Sequence, residues 1–152
     1  MNNTTSQNNV TVELLSEMYR NVTMGSENLA SVVPMIKNKN LLTNVTSQME
    51  KYADFTNRTE KLMNARAVKP KEPSLMKIIM SRGGIALNTA IDSSDGHIAE
   101  MIVKGTKTGV KELEKTFEQM KKRGVDGDAA ELCGEIIGFE RHEIDRAKDY
   151  IE

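Results

Sequence analysis

A few histidines and acids are the residues of this 152-residue chain that could hold a metal ion. His97 and Glu100 lie three residues apart, which places their side chains on neighbouring surface if the segment is helical. Imidazole nitrogen and carboxylate oxygen are ligands of zinc and iron, so this pair could form a mononuclear site with Glu140 or Glu143. The alternative is a surface ion pair, which a total of two histidines favours. The pattern predicts no catalytic residue and makes these four positions weak metal candidates.

Other reactive or charged residues predict ordinary structural roles. Cys133 has no base beside it in the sequence and falls near an apolar helix face, which indicates a core residue rather than a nucleophile. A row of lysines along one helix side could follow phosphates, but glutamates alternate with it, so we expect a solvated face and no nucleic-acid site. These lysines are Lys104, Lys107, Lys111 and Lys115.

Composition excludes several classes of protein. Lys plus Arg number 21 against 22 Asp plus Glu, so no strong field attracts a nucleic acid or an anionic membrane. No apolar run approaches the ~18 residues of a membrane span. One cysteine fits a reducing compartment, and the polar N-terminal residues lack the pattern of a secretory signal, which together predict the cytoplasm.

The first helix has the most regular pattern of the chain. Thr11 is its predicted N-cap, Pro34 should end it near Val33, and residues 1–9 form a polar stretch that predicts a disordered tail. Its apolar residues alternate at spacings of three and four, which indicates one buried stripe in a bundle. The stripe consists of Leu15, Met18, Val22, Gly25, Leu29, Val32 and Ile36.

Three further helices are predicted over about 41–67, 97–122 and from a cap at Asp126 or Asp128 to the end. In the second, the stripe runs through Met49 and Tyr52 and is more polar than that of the first. In the third, close helix packing is the predicted reason for Gly105 and Gly109. In the fourth, the residues near one face are Ala130, Cys133, Ile137, Glu140, Ile144, Ala147 and Ile151. Short turns within each pair predict two antiparallel hairpins, joined by a long crossover over about 68–96. The fold class is therefore all-α, with one four-helix-bundle domain over 10–152.

The crossover is predicted to contain a short helix over Leu75–Ile91. Its apolar side chains exceed what one small helix can bury against a filled bundle, and an exposed apolar patch usually binds a partner. We expect a homodimer through Leu75, Ile78, Ile79, Ile85, Leu87 and Ile91.

Several of these stretches together resemble a known family. They are residues 24–27 in the first helix, the short turn into Leu41-Leu42, residues 97–100 followed by Gly105, and residues 136–150. In these the chain resembles small uncharacterised bacterial ferritin-like proteins. The resemblance implies a ferritin-like four-helix bundle, and with it a di-iron site that serves oxidase, peroxidase or iron-storage roles.

The residues needed for such a site are largely missing. A di-iron site needs a Glu from each of two helices and a Glu-x-x-His pair from each of the others. The stripe of the first helix has no acid, the second helix has no His, and the third has His97 and Glu100 in the reverse order. We therefore predict a non-enzymatic cytoplasmic bundle with a structural or interaction role and no cofactor. The alternative is a di-iron or mononuclear protein that binds iron or zinc and acts on oxygen, peroxide or iron.

Overall fold

The structure, a computed structural model, describes residues 2–70 and 94–151. In these ranges four α-helices pack together and no strand occurs: α1 (Asn2–Val32), α2 (Lys39–Asn64), α3 (Asp95–Arg123) and α4 (Gly127–Lys148). A single 3-10 turn, Val33–Met35, follows α1. The predicted all-α fold with four packed helices is confirmed.

Contacts at the helix ends establish the directions of the helices. The backbone N–H of Lys37 donates to Asp95 at 2.8 Å, so α3 begins beside the end of α1. The backbone N–H of Asp126 donates to Thr11 at 2.9 Å, and the Arg66 guanidinium donates to Asp126 at 2.9 Å. The start of α4 therefore lies beside the start of α1 and the end of α2. Helix α1 packs on α2 and α3, α4 packs on the same two helices, and each of these pairs is antiparallel.

Local sequence signals account for most helix ends. The Asn38 side chain accepts hydrogen bonds from two backbone N–H groups of the first turn of α2, at 2.8 and 3.1 Å. Ser94 caps α3 by accepting from the backbone N–H of His97 at 3.2 Å. Helix α1 ends at Val32, two residues before Pro34, close to the end near Val33 that the missing N–H of this proline predicts. Gly124 ends α3 with a φ of 87°, a conformation that favours glycine.

The start of α1 differs from the prediction. The helix begins at Asn2, so the polar residues predicted to be a disordered tail extend it, and Gln7 donates to Asp126 at 2.8 Å. Thr11 is not an N-cap of α1: it is fully buried within the helix, and its hydroxyl accepts from the backbone N–H of Asp126, the N-cap residue of α4. Once the buried turns from Val10 onward form a helix, adding residues requires no new nucleation, so even residues without apolar side chains can continue it.

The core follows the predicted stripe of the first helix. Every stripe residue of α1 is buried except Gly25, which is partly exposed. The ring of Phe139 packs α4 against α2, since its centroid lies 5.4 Å from those of Tyr52 and Phe55. Cys133 is also buried, and desolvation raises the pKa of its thiol to about 12, so it is the predicted core residue.

Most of the predicted crossover lies outside the described residues. Helix α2 ends at Asn64, and residues 71–93 lie outside the described ranges. The predicted short helix over Leu75–Ile91 and the dimer residues that it carries fall in this gap. They stay predictions.

Candidate functional site

A cavity of about 600 Å³ lies between α1 and α3 and extends inward to α2 and α4. Its walls are mostly apolar, with Met24, Leu29, Val32, Met101, Ile102 and Leu113 among the lining side chains. Its floor is polar and consists of Asn21, Gln48, Tyr52 and Glu140, hereafter the polar floor. Apolar walls around a few polar groups are typical of small-molecule sites.

Glu140 carries the most unusual chemistry of the polar floor. It lies on α4, is only 1% exposed, and its Oε1 atom has no hydrogen-bond partner in the part of the chain that the structure describes. Because burial removes the carboxylate from water, its pKa rises from 4.5 to about 8; the neighbouring Asn21 lowers it, and the charge of Glu114 raises it further. The side chain is therefore mainly a neutral carboxylic acid at pH 7.

Two amides of the polar floor are also incompletely paired. The Asn21 side chain donates from Nδ2 to the carbonyl oxygen of Gly109 at 3.2 Å, but its Oδ1 is buried with no partner among the described residues. On α2, Gln48 is 3% exposed; its side chain lowers the pKa of Tyr52, but its Nε2 has no hydrogen-bond partner within the described ranges. An unpaired buried polar atom costs roughly 1–3 kcal/mol, and native proteins pair nearly all such atoms with protein, water or ligand. When the carboxyl group of Glu140 is ionised, the polar floor thus offers one donor and two acceptors for a bound group.

Tyr52 completes the polar floor and depends on a glycine. A Cβ atom on Gly25 would lie 2.8 Å from Cζ of the Tyr52 ring, so a side chain there would collide with the ring. Burial raises the tyrosine pKa well above 10, with a further contribution from the charge of Glu140. The phenol therefore remains protonated over the physiological range.

The glycines of α3 shape the cavity, and one of them contradicts the sequence prediction. Among the described residues, no atom of another helix lies within 4 Å of a Cβ placed on Gly105, so close helix packing does not explain this residue. Gly105 lines the cavity, and its missing side chain leaves that space open. A Cβ on Gly109 would lie 3.4 Å from Asn21 Nδ2 and 3.7 Å from Glu140 Oε2. Gly109 therefore allows the close approach of the polar floor.

The structure separates the four predicted metal candidates. Glu140 lines the cavity, whereas Glu143 is buried outside it and accepts from Arg146 at 3.0 Å. His97 lies in the first turn of α3, and its nearby Glu100 pairs with Lys104 at 3.7 Å. Within residues 2–70 and 94–151, no group of three or more His, Cys, Asp or Glu side chains could hold a metal ion.

Sequence periodicity placed Glu140 on the inner face of its helix but missed Gln48. The predicted stripe of α2 passed through Met49, which is only partly buried. The buried residues Val45 and Tyr52 are seven apart, and Gln48 lies between them at spacings of three and four. A prediction of the buried face of α2 from residue spacing alone, with polar residues accepted on that face, would have included Gln48.

Comparison with protein-family models, curated protein sequences and solved structures gave no match. The resemblance to ferritin-like proteins therefore stays a prediction. None of the helices in the described ranges is long and apolar enough to cross a membrane.

Proposed function

We propose that this chain is a non-enzymatic binding protein that holds a small molecule in the cavity between α1 and α3. The observation that carries the proposal is the combination of apolar walls with the incompletely paired polar floor. The volume of the cavity, about 600 Å³, falls within the usual range for ligand pockets, roughly 300–1,000 Å³. Glycine at position 105 keeps the space open, although most side chains would fit there.

We further propose a ferritin-like scaffold for this protein. The directions of the helices support it, because α2 ends at one end of the bundle and α3 begins at the other. A bundle with this arrangement requires one long crossover, for which we propose the sequence-predicted short helix over Leu75–Ile91. We also propose a cytoplasmic location, on the composition alone.

The alternative is a metalloprotein, which two observations favour: the inward carboxyl group of Glu140, and the Nε2 of His97, which is buried with no hydrogen-bond partner among the described residues. The residues present do not fit a di-iron site, because the polar floor supplies one carboxylate and two amides, and the other candidate ligands point elsewhere or are paired. Elemental analysis of protein purified without chelators distinguishes the two proposals. Stoichiometric iron, manganese or zinc would contradict the metal-free one.

An interaction role through the crossover is a separate proposal. The apolar residues Leu75, Ile78, Ile79, Ile85, Leu87 and Ile91 motivate a homodimer. We expect sedimentation velocity at micromolar concentration to give the mass of two 17.0 kDa chains. A mass of one chain would contradict this proposal and leave the cavity proposal unaffected.

The cavity can be tested with a neutral apolar probe. Hexan-1-ol at about ten times its dissociation constant should raise the melting temperature by ~4 °C, because binding to the native state adds about 1.4 kcal/mol to its stability. The Gly105→Leu variant should lose this rise, since the leucine side chain would enter the cavity. Gly134, which has equally open surroundings and does not line the cavity, supplies the control variant Gly134→Leu.

Differential scanning calorimetry of the three proteins, with and without hexan-1-ol, measures the effect. A melting temperature that the alcohol leaves unchanged, or that rises equally in Gly105→Leu, would contradict the proposed binding function.

A further inference from the structure

The unpaired atoms of the polar floor restrict the chemistry of the ligand. Two of them, Oδ1 of Asn21 and Oε1 of Glu140, are acceptors when the carboxyl group is ionised. A group that satisfies both must bring at least two hydrogen-bond donors. Gln48 Nε2 is the third unpaired atom, and water or an acceptor elsewhere on the ligand would take its hydrogen.

The charges around the cavity restrict the ligand further. Across the described ranges, no cationic side chain forms an ion pair with Glu140. The two bases that line the cavity are already paired with glutamates: Arg20 with Glu17 at 3.8 Å, and Lys104 with Glu100 at 3.7 Å. A bound anion would therefore face the carboxyl group of Glu140 without a free counter-charge. A bound cation would pair with that group in a water-poor site.

We infer that the cavity selects a small organic ammonium ion, a primary amine on an apolar body, with its NH₃⁺ group held by Glu140 and Asn21. This inference rests on the proposed binding function. An ammonium group supplies three donors, enough for both unpaired acceptors. The apolar body matches the walls formed by Met24, Leu29, Val32, Met101, Ile102 and Leu113. A divalent metal ion matches less well, because Ca²⁺ and Mg²⁺ require about six or more oxygen ligands.

The state of Glu140 links ammonium binding to pH. Without a ligand, the carboxyl group of Glu140 is largely neutral below its pKa of about 8. Pairing with an ammonium group requires the ionised carboxylate. Binding at pH 7 should release close to one proton, and the affinity should rise about tenfold from pH 6 to pH 7 and level off above pH 8. Tyr52 stays neutral throughout, since its pKa lies well above 10. The other charged groups of this region are Glu17, Arg20, Lys104 and Glu112 on the cavity lining and Glu114, whose charge acts on Glu140. The thiol of Cys133 also interacts with Glu140 but stays neutral, since its pKa is about 12.

Three probes with the same hexyl chain separate the head-group chemistry: n-hexylamine, hexan-1-ol and hexanoate. By isothermal titration calorimetry at pH 8, the amine should bind at least about tenfold more tightly than the alcohol, a difference of roughly 1.4 kcal/mol, and hexanoate should not bind. Repeating the amine titration at pH 7 in buffers of different ionisation enthalpy counts the released protons.

Variants assign the preference to one side chain. Glu140→Gln keeps the shape of the residue but removes its charge, so the amine should bind no more tightly than the alcohol and release no proton. Glu143→Gln replaces a second buried acid of α4 that does not line the cavity and should keep the preference of the unsubstituted protein. Far-UV circular dichroism checks that both variants are folded.

The outcomes separate this inference from the binding function on which it rests. Equal affinity for amine and alcohol, or an unchanged amine preference in Glu140→Gln, would overturn the ammonium inference while alcohol binding preserves the proposed function. If no probe binds, both are overturned.

Discussion

At pH 8, the Glu140→Gln variant should be more stable than the unsubstituted protein by about 4 kcal/mol. The carboxyl group of Glu140 is 1% exposed, and its pKa is about 8 in the folded chain against an ordinary value of 4.5. Above pH 4.5 the unfolded chain gains free energy by ionising this group, while the native chain must keep it neutral or bury its charge. The neutral glutamine avoids this penalty.

The sign of the pH dependence follows from the raised pKa. Between the unfolded value of 4.5 and the folded value of about 8, folding takes up a proton, so this group makes stability fall as the pH rises. The loss should be about 1.4 kcal/mol per pH unit in that window and absent below it. Urea unfolding at pH 5, 6, 7 and 8 measures this loss. The quantity compared at each pH is the free energy of unfolding of the unsubstituted protein and of Glu140→Gln.

The control for this titration is Glu143→Gln, which removes a buried acid that is paired with Arg146 at 3.0 Å. This variant should keep the pH slope of the unsubstituted protein. If the Glu140→Gln and unsubstituted proteins instead give parallel curves from pH 5 to pH 8, Glu140 has an ordinary pKa and the description of the polar floor is wrong.

Alanine at two helical glycines should change stability in opposite directions. Gly25→Ala places a Cβ 2.8 Å from the Tyr52 ring, so the ring must shift and disturb its edge-to-face contact with Phe139, and we expect a net loss of about 1–2 kcal/mol. Gly134→Ala has nothing within 4 Å of its new Cβ, and the better helix propensity of alanine should stabilise the protein by about 0.5–1 kcal/mol.

Urea unfolding at one pH compares the two variants, and near-UV circular dichroism reports the surroundings of the tyrosine rings. Gly105→Ala is a second control, because its Cβ would also meet open space, now on the cavity side. A Gly25→Ala protein as stable as Gly134→Ala would show that the Tyr52 ring does not need the glycine.

Features that depend on local sequence were predictable. The spacing of Leu15, Met18 and Val22 identified the buried stripe of α1, and Pro34 fixed the end of the helix. Periodicity also placed Glu140 and Cys133 on the inner side of α4, where both are buried. Each of these properties follows from residues within a few turns of one helix.

Features that depend on how the helices meet were not predictable in this way. The hydrogen bond between Thr11 and Asp126 joins residues 115 positions apart. Through it Thr11 contacts the start of α4, whereas the sequence predicted that Thr11 caps its own helix. Gly25 and Gly105 both lie on the predicted apolar stripe of a helix, so their sequence surroundings are similar. The Tyr52 ring packs against Gly25, whereas Gly105 lies next to open space. The cavity and the unpaired atoms of its floor arise from helix spacing, which no single helix specifies.

The titration of the Glu140 carboxyl carbon by ¹³C NMR, with and without saturating n-hexylamine, tests the site most directly. The unliganded protein should give a midpoint near pH 8, and the amine should lower it as the ammonium group stabilises the carboxylate. Assignment through the Glu140→Gln spectrum identifies the resonance. A midpoint near the ordinary value of 4.5 that the amine leaves unchanged would contradict both the buried neutral acid and its role in binding.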